Sequence, residues 1–197
     1  MNMKILKGLL AGSLLASSAF AGVYIGFDYG NDNSSLNDNF VVMNKSTSTV
    51  VLSSDTTSTY NFNYSSIKLG YETDGNWKYQ VKASQINFGG KTLNEIGFDI
   101  LKEFEMTRDF FPYVKIGAGY GWRKAATDWD PSPLHESSLE AGLGISYKML
   151  QHISLNLGVD YVYRNWDDAY SNGSVYYKTE RIDENILRSY IGIEYLF

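Results

Sequence analysis

The sequence predicts an all-β fold: a closed, up-and-down antiparallel transmembrane β-barrel of about eight strands. Apolar and polar residues alternate with a period of two along most of the chain beyond residue 21. The connections between these runs alternate between shorter turns and long polar loops, the short one after the third run excepted. Aromatic residues gather at both ends of the apolar faces, with aliphatics between them. The composition agrees with strands of this kind: 16 Tyr, 10 Phe and 4 Trp accompany 18 Gly and only 3 Pro.

The front of the chain reads as a targeting segment. Met1–Lys7 carries Lys4 and Lys7, Gly8–Ala19 is a short apolar run, and Ala19-Phe20-Ala21 has the small-x-small form of an export cleavage site. Residues 1–21 are therefore expected to be a signal peptide, because the run is far shorter than the ~20 residues of a spanning helix. Residues 22–197 are then a single barrel domain of about 176 residues.

Strand one is expected at Gly22–Asn31, with Val23, Ile25, Phe27 and Tyr29 opposing Tyr24, Gly26, Asp28 and Gly30. Strand two spans about Tyr64–Glu72, and Thr73-Asp-Gly-Asn76 forms a tight hairpin turn into strand three, Asn76–Gln85. Asn87–Lys91 connects to strand four, Thr92–Phe104, and the charged Glu103–Asp109 leads to strand five, Phe111–Trp122. Strand six is Ser138–Lys148, strand seven Ile153–Arg164 and strand eight Ile186–Phe197. The long connections are Asp32–Asn63, Arg123–Ser137 and Asn165–Asn185. The first holds two apolar runs around Asn44–Ser48, which predicts a hairpin of its own. The last, around Ser171-Asn-Gly-Ser174, predicts that strands seven and eight continue above the membrane. Short turns on one side and long loops on the other is the outer-membrane asymmetry, with both termini on the turn side.

A soluble barrel would turn its apolar face inward, and a membrane barrel inverts this. The polar face carries Asp28, Lys68, Glu72, Lys78, Lys82, Glu95, Asp99, Lys115, Glu140, Asp160, Arg164, Arg188 and Glu194, with both signs mixed, and many glycines. Ion pairs and glycine suit the narrow interior of an eight-stranded barrel. On the apolar face, Tyr71, Trp77, Tyr79, Tyr147, Tyr195 and Phe197 fall at the turn end, and Tyr29, Tyr120, Trp122, Tyr161 and Tyr163 at the loop end. Two such girdles around an aliphatic band fit a bilayer better than a secreted β-sandwich.

The terminal stretch Ser189-Tyr-Ile-Gly-Ile-Glu-Tyr-Leu-Phe197 resembles the C-terminal assembly signal of Gram-negative outer-membrane barrels, through Tyr190, Gly192, Tyr195 and Phe197. Together with the export signal and the strand pattern, the chain resembles the small eight-stranded outer-membrane barrels, the opacity-type and outer-membrane-protein-X-like proteins. The resemblance implies residence in the outer membrane of a Gram-negative bacterium. It also implies contact with outer-membrane lipid and lipopolysaccharide, delivery by periplasmic chaperones and the barrel-assembly machinery, and loops that meet host or cell-surface ligands.

Little of the sequence points to chemistry. No cysteine is present, which excludes disulfides and thiol nucleophiles, and two separated histidines, His135 and His152, make no metal site. No cofactor is expected, and a net charge of −5 argues against nucleic acid. Gly117-Ala-Gly119-Tyr-Gly121 lies within a strand and opens no helix, so it is not a phosphate loop. Asp128, Asp130, Asp167 and Asp168, near Trp129 and Trp166, are loop carboxylates that could bind bridging cations, although solvated loop charges are the default. His135 and Ser137 share the outward face of Leu139. This resembles the His-x-Ser pair of outer-membrane lipid A deacylases, but Met149 and Leu150 stand where the acidic partner would fall, so no catalytic residue is assigned. The expectation is a non-enzymatic surface anchor that stabilises the membrane and displays loops. The alternatives are a narrow pore for small solutes and a deacylase using His135 and Ser137.

Overall fold

The structure is a computed structural model and describes residues 22–88, 91–123, 134–167, 169–172 and 176–197. The expected signal peptide, Asp128, Trp129, Asp130 and Asp168 lie outside these residues. The strands are β1 (Val23–Asn44), β2 (Val50–Glu72), β3 (Trp77–Phe88), β4 (Lys91–Glu103), β5 (Phe110–Arg123), β6 (Leu134–Leu150), β7 (Ile153–Trp166), β8 (Ala169–Asn172) and β9 (Tyr176–Leu196). Each of β1 to β7 pairs with the next, β7 pairs with β9, and β9 pairs back with β1, so eight antiparallel strands close a ring and β8 rides on the outer part of β9. Closure removes the sheet edges that would otherwise face lipid unpaired.

Parity sets the two faces, and along the membrane-spanning part of the barrel the described side chains alternate between exposed and buried as the period of two requires. Phe27, Ile67, Leu69, Ile116, Leu143, Leu157 and Ile193 point outward and are about half exposed or more. Asp28, Lys68, Lys82, Asp99 and Arg188 point inward and are buried. The Thr73–Trp77 turn closes through Thr73 N–H donating to the Trp77 carbonyl (2.9 Å), with Asn76 at φ 57°. Asn tolerates that left-handed conformation because its short polar side chain can bond locally.

Both faces change character near the outer end. The outward rows pass from Tyr29 to Asn31, from Ile67 to Ser65 and Asn63, from Ala83 to Gln85, and from Leu187 to Asn185. The inward rows pass from charged groups to an apolar cluster of Phe62, Tyr64, Ile86, Leu93, Trp166, Ile182 and Tyr190, with Leu36 packed against it. Where the surroundings change from hydrocarbon to water, the barrel reverts to the ordinary apolar-inside arrangement of a water-soluble fold.

The long connections are corrected by this picture. Asp32–Asn63 is not a loop but the outer parts of β1 and β2, paired from Asp32↔Phe62 to Met43↔Val50 with a register shift at Val42/Met43. The hairpin expected within it is therefore the continuous extension of the two barrel strands. Arg123–Ser137 is shorter than expected, since Leu134 to Ser137 belong to β6 and pair with β5 from Arg123↔Leu134 to Tyr120↔Ser137. Asn165–Asn185 is mostly strand: β9 starts at Tyr176, and β8 pairs with it from Ala169↔Glu180 to Asn172↔Tyr177.

Candidate functional site

Two parts of the molecule stand out, the charged lumen and the outer sheet. Toward the turn end, the Glu194 carboxylate takes Lys68 on one oxygen and Lys78 on the other, both at 2.9 Å. Lys68 also reaches Asp28 (2.9 Å), and Lys78 reaches Glu103 (2.7 Å). Tyr24 O–H donates to Gln80 (2.9 Å), and the Gln80 amide donates to Asp99 (2.7 Å). At mid-height Lys82 bridges Asp99 (3.1 Å) and Glu140 (2.5 Å), and Lys115 bridges Glu140 (3.2 Å) and Asp160 (2.5 Å).

Above these, Arg188 grips Asp32 with two parallel bonds of 2.8 and 3.0 Å, and its guanidinium lies 3.7 Å from the centre of the Tyr64 ring. Arg164 holds Glu184 at 2.8 Å and contacts Glu95 and Glu136 at 3.4 Å each. The apolar cluster packs around this level, with Tyr64 and Tyr190 on its turn side and Ile182 and Trp166 on its outer side. Such a ladder fixes the strands' register, because each cation finds its carboxylates only when the sheet closes as it does.

Of the thirteen polar-face residues singled out in the sequence, all are buried except Glu72. Glu72 stands at the turn-side mouth, 3.3 Å from Lys148 and 3.8 Å from Lys78. Sequence reasoning missed Asp32, Glu103, Glu136 and Glu184, all buried in the same lumen. In the sequence, Asp32, Glu136 and Glu184 fall in expected connections, and Glu103 falls where strand four meets the charged connection after it. Continuing the inward parity of Asp28, Asp99, Glu140 and Arg188 by four residues reaches all four.

The inward tyrosines were also missed as a set. Tyr113 and Tyr190 meet across the lumen with their hydroxyls 2.9 Å apart. They lie over Gly144 and Gly158, where an added Cβ would come within 2.4 Å of Tyr113 Cζ and 2.4 Å of Tyr190 Cζ respectively. Glycine at these positions makes the room that the rings occupy.

Beyond Asn63, and among the described residues, β2 pairs only with β1. The outer parts of β2, β1, β9 and β8 thus form a sheet that stands clear of the barrel. From Asn37, past Leu36 of the apolar cluster, to Asn44 it projects about 23 Å along the strand. Val50, Val51 and Leu52, at its tip, are each 55% exposed.

Comparison with known proteins places this architecture. A family model described as "Outer membrane protein beta-barrel domain" matches residues 5–179. The chain belongs to that outer-membrane β-barrel family.

Among solved structures, it is similar to outer membrane protein OprG from Pseudomonas aeruginosa, at 16% identity and a TM-score of 0.57 over 90% of this chain and 97% of that one. Neisserial surface protein A matches at 14% identity and a TM-score of 0.56, over 90% and 98% of the two chains. Outer membrane protein AlkL, solved in lipid bilayers, matches at 13% identity and a TM-score of 0.50, over 90% of each. At these identities the likeness is one of fold. No curated protein sequence matches the chain. The protein resides in the outer membrane of a Gram-negative bacterium.

The outer-membrane barrel wall can now be read against lipid. Tyr29, Tyr71, Trp77, Tyr79, Tyr120, Trp122, Tyr147, Tyr161, Tyr163 and Tyr195 all face outward and exposed. Phe197 is half-buried, packed edge-on against Tyr195 with ring centres 5.2 Å apart. Of the expected assembly signal, Tyr190 and Gly192 point into the lumen and Tyr195 points out.

His135 and Ser137 lie on the outward face at the polar belt, with the His135 ring stacked on Tyr120 at 5.6 Å. Glu140 is on the opposite face, engaged with Lys82 and Lys115. His152 is exposed in its turn, with Nδ1 2.9 Å from the Leu196 carbonyl. Among the described residues, no three of His, Asp and Glu converge as metal ligands.

Proposed function

We propose that this barrel is a non-enzymatic surface anchor that stabilises the outer membrane and presents its outer sheet to ligands beyond the cell. The observation that carries this reading is the β1–β2 hairpin. It extends the barrel wall far past the polar belt and leaves the outer part of β2 with one partner strand among the described residues. The stretch Val50–Asn61 contains no Lys and no Pro, the residues that usually blunt a free strand edge. A membrane anchor alone needs none of this length, and a row of open backbone N–H and C=O groups suits an extended polypeptide.

The partners implied are outer-membrane lipid and lipopolysaccharide around the wall, chaperones and the assembly machinery during insertion, and cell-surface proteins at the hairpin. Nucleic acid is not among them. The test replaces residues 36–58 by a two-residue Asn-Gly turn, which leaves the paired Ser35 and Thr59 to flank it, and compares attachment of cells carrying either form to epithelial monolayers and extracellular matrix proteins. Attachment should fall with the hairpin removed while the barrel still inserts. Equal attachment by both forms overturns the reading.

The second reading is a narrow pore. Against it stands the lumen itself, bridged at every level by side chains, with Lys82, Lys115 and Arg188 all meeting at Glu140. Planar-bilayer recordings of the purified protein should show no steady single-channel steps.

A further inference from the structure

The outer wall carries a depression that neither the lumen nor the hairpin explains. A groove of about 740 Å³ crosses β6, β7, β9 and β1 and reaches β2. The strand registers define its course. One bank is the outward row Ile145, Leu157, Ile191 and Tyr29, each directly opposite the next. The other bank is the adjacent row Leu143, Val159, Ser189, Asn31 and Asn63. The floor is backbone from Gly144, Gly158, Tyr190 and Gly30, which turn no side chain outward. Ser189 is the smallest side chain on either bank and leaves a notch between Val159 and Asn31.

The groove changes chemistry along its length. At β6 it is aliphatic, two residues from Tyr147 of the turn-side girdle. At β1 and β2 it ends on the amides of Asn31 and Asn63, at the level where the outward rows turn polar. Four strand spacings separate the ends, about 19 Å. Because the strands tilt, the groove climbs obliquely through the wall. Its reach corresponds to an extended acyl chain running from the interface toward mid-bilayer, half of a hydrocarbon core of ~30 Å.

No Lys or Arg lies along the groove, so its polar end is matched to uncharged carbonyl and hydroxyl groups rather than to a phosphate. Lipopolysaccharide fills the outer leaflet of this membrane. Its hydroxylated acyl chains carry amide and ester groups at the neck, and Asn side chains can both donate to and accept from such groups.

We infer that this groove is a binding site for one acyl chain of lipopolysaccharide, with its amide or ester neck at Asn31, Asn63 and Ser189 and its tail along Leu157 and Leu143. The lipid then fixes one wall of the barrel against the leaflet. This follows from the wall alone and is independent of what the hairpin binds.

The test is native mass spectrometry of the intact folded protein released from micelles. It is run with deep-rough lipopolysaccharide or with phosphatidylethanolamine at equal concentration. Ser189→Phe fills the notch, and Val81→Phe is the control on an outward position away from the groove. Wild type and Val81→Phe should retain one lipopolysaccharide, and Ser189→Phe should hold it about tenfold more weakly, near 1.4 kcal/mol. Heat-dependent gel mobility reports whether each variant folds. If Ser189→Phe does not fold, Asn31→Leu removes the polar neck instead and should weaken retention in the same way. Equal retention by the folded groove variants overturns the site. Equal or tighter retention of phosphatidylethanolamine overturns the assignment to lipopolysaccharide.

Discussion

Lys82→Met is the sharpest probe of the lumen. Among the described residues, ten buried carboxylates face six buried cations, and each cation contacts at least two acids. Lys82 is 2% exposed and holds Glu140 at 2.5 Å and Asp99 at 3.1 Å. Methionine keeps an unbranched chain one atom shorter, without the charge. Glu140 then keeps Lys115 at 3.2 Å and Arg188 at 3.6 Å, whereas Asp99 loses its salt bridge and keeps the neutral Gln80 amide at 2.7 Å.

Breaking a buried ion pair by removing one partner costs about 3–5 kcal/mol. The loss of two charge-assisted hydrogen bonds, at about 1.5–3 kcal/mol each, gives the same range. Urea unfolding in phospholipid vesicles, followed by tryptophan fluorescence, should show that loss at pH 7. The double variant Lys82→Met/Glu140→Gln should lose about 0.5–3 kcal/mol less than the sum of the two single variants. A loss below ~1 kcal/mol for Lys82→Met would mean that water already screens these groups. The lumen would then be a wet path rather than a packed interior, and the pore reading would gain.

Other perturbations address the wall and the outer end. Ile116→Arg, on the outward face of β5, should cost about 2–4 kcal/mol at mid-membrane depth, whereas Asn33→Arg, above the polar belt, should change the unfolding midpoint little; equal costs would mean the membrane boundary is misplaced. Gly158→Ala would bring a Cβ within 2.4 Å of Tyr190 Cζ and 2.6 Å of Tyr113 Oη, and should destabilise by about 1–3 kcal/mol, measured as a lower urea midpoint with unchanged slope. Ser137→Ala should leave the lipid A of cells carrying the protein unchanged by mass spectrometry. If the wild type removes an acyl chain and this variant does not, the non-enzymatic reading fails.

The period of two was sufficient to assign sides. Once Phe27 and Asp28 fall on opposite faces, so do all their cross-strand neighbours, because antiparallel pairing keeps parity from strand to strand. Composition then oriented the faces. Mixed charge with glycine fits only the crowded inside, and aliphatics between aromatic girdles fit only lipid. The membrane band, the short turns and the luminal charges within that band, such as Asp28, Lys68, Lys82, Lys115 and Arg188, were therefore legible from the residues alone.

The strand ends were not, and with them went Asp32, Glu103, Glu136 and Glu184. Their stretches are rich in Ser, Thr, Asn and charge, which resembles loop composition. Above the membrane a strand has no need of an apolar outer face, so the alternation that marks a lipid-bathed strand fades. What holds Asp32–Asn44 as strand is pairing on both sides, with β2 and with β9, and cross-strand pairing between residues more than a hundred positions apart leaves no local mark. The groove at Ser189 is likewise a product of register. Local sequence determined which way each side chain faces. Only closure of the ring decided which side chains meet, because hydrogen-bonded neighbours across a barrel are chosen by the whole sheet at once.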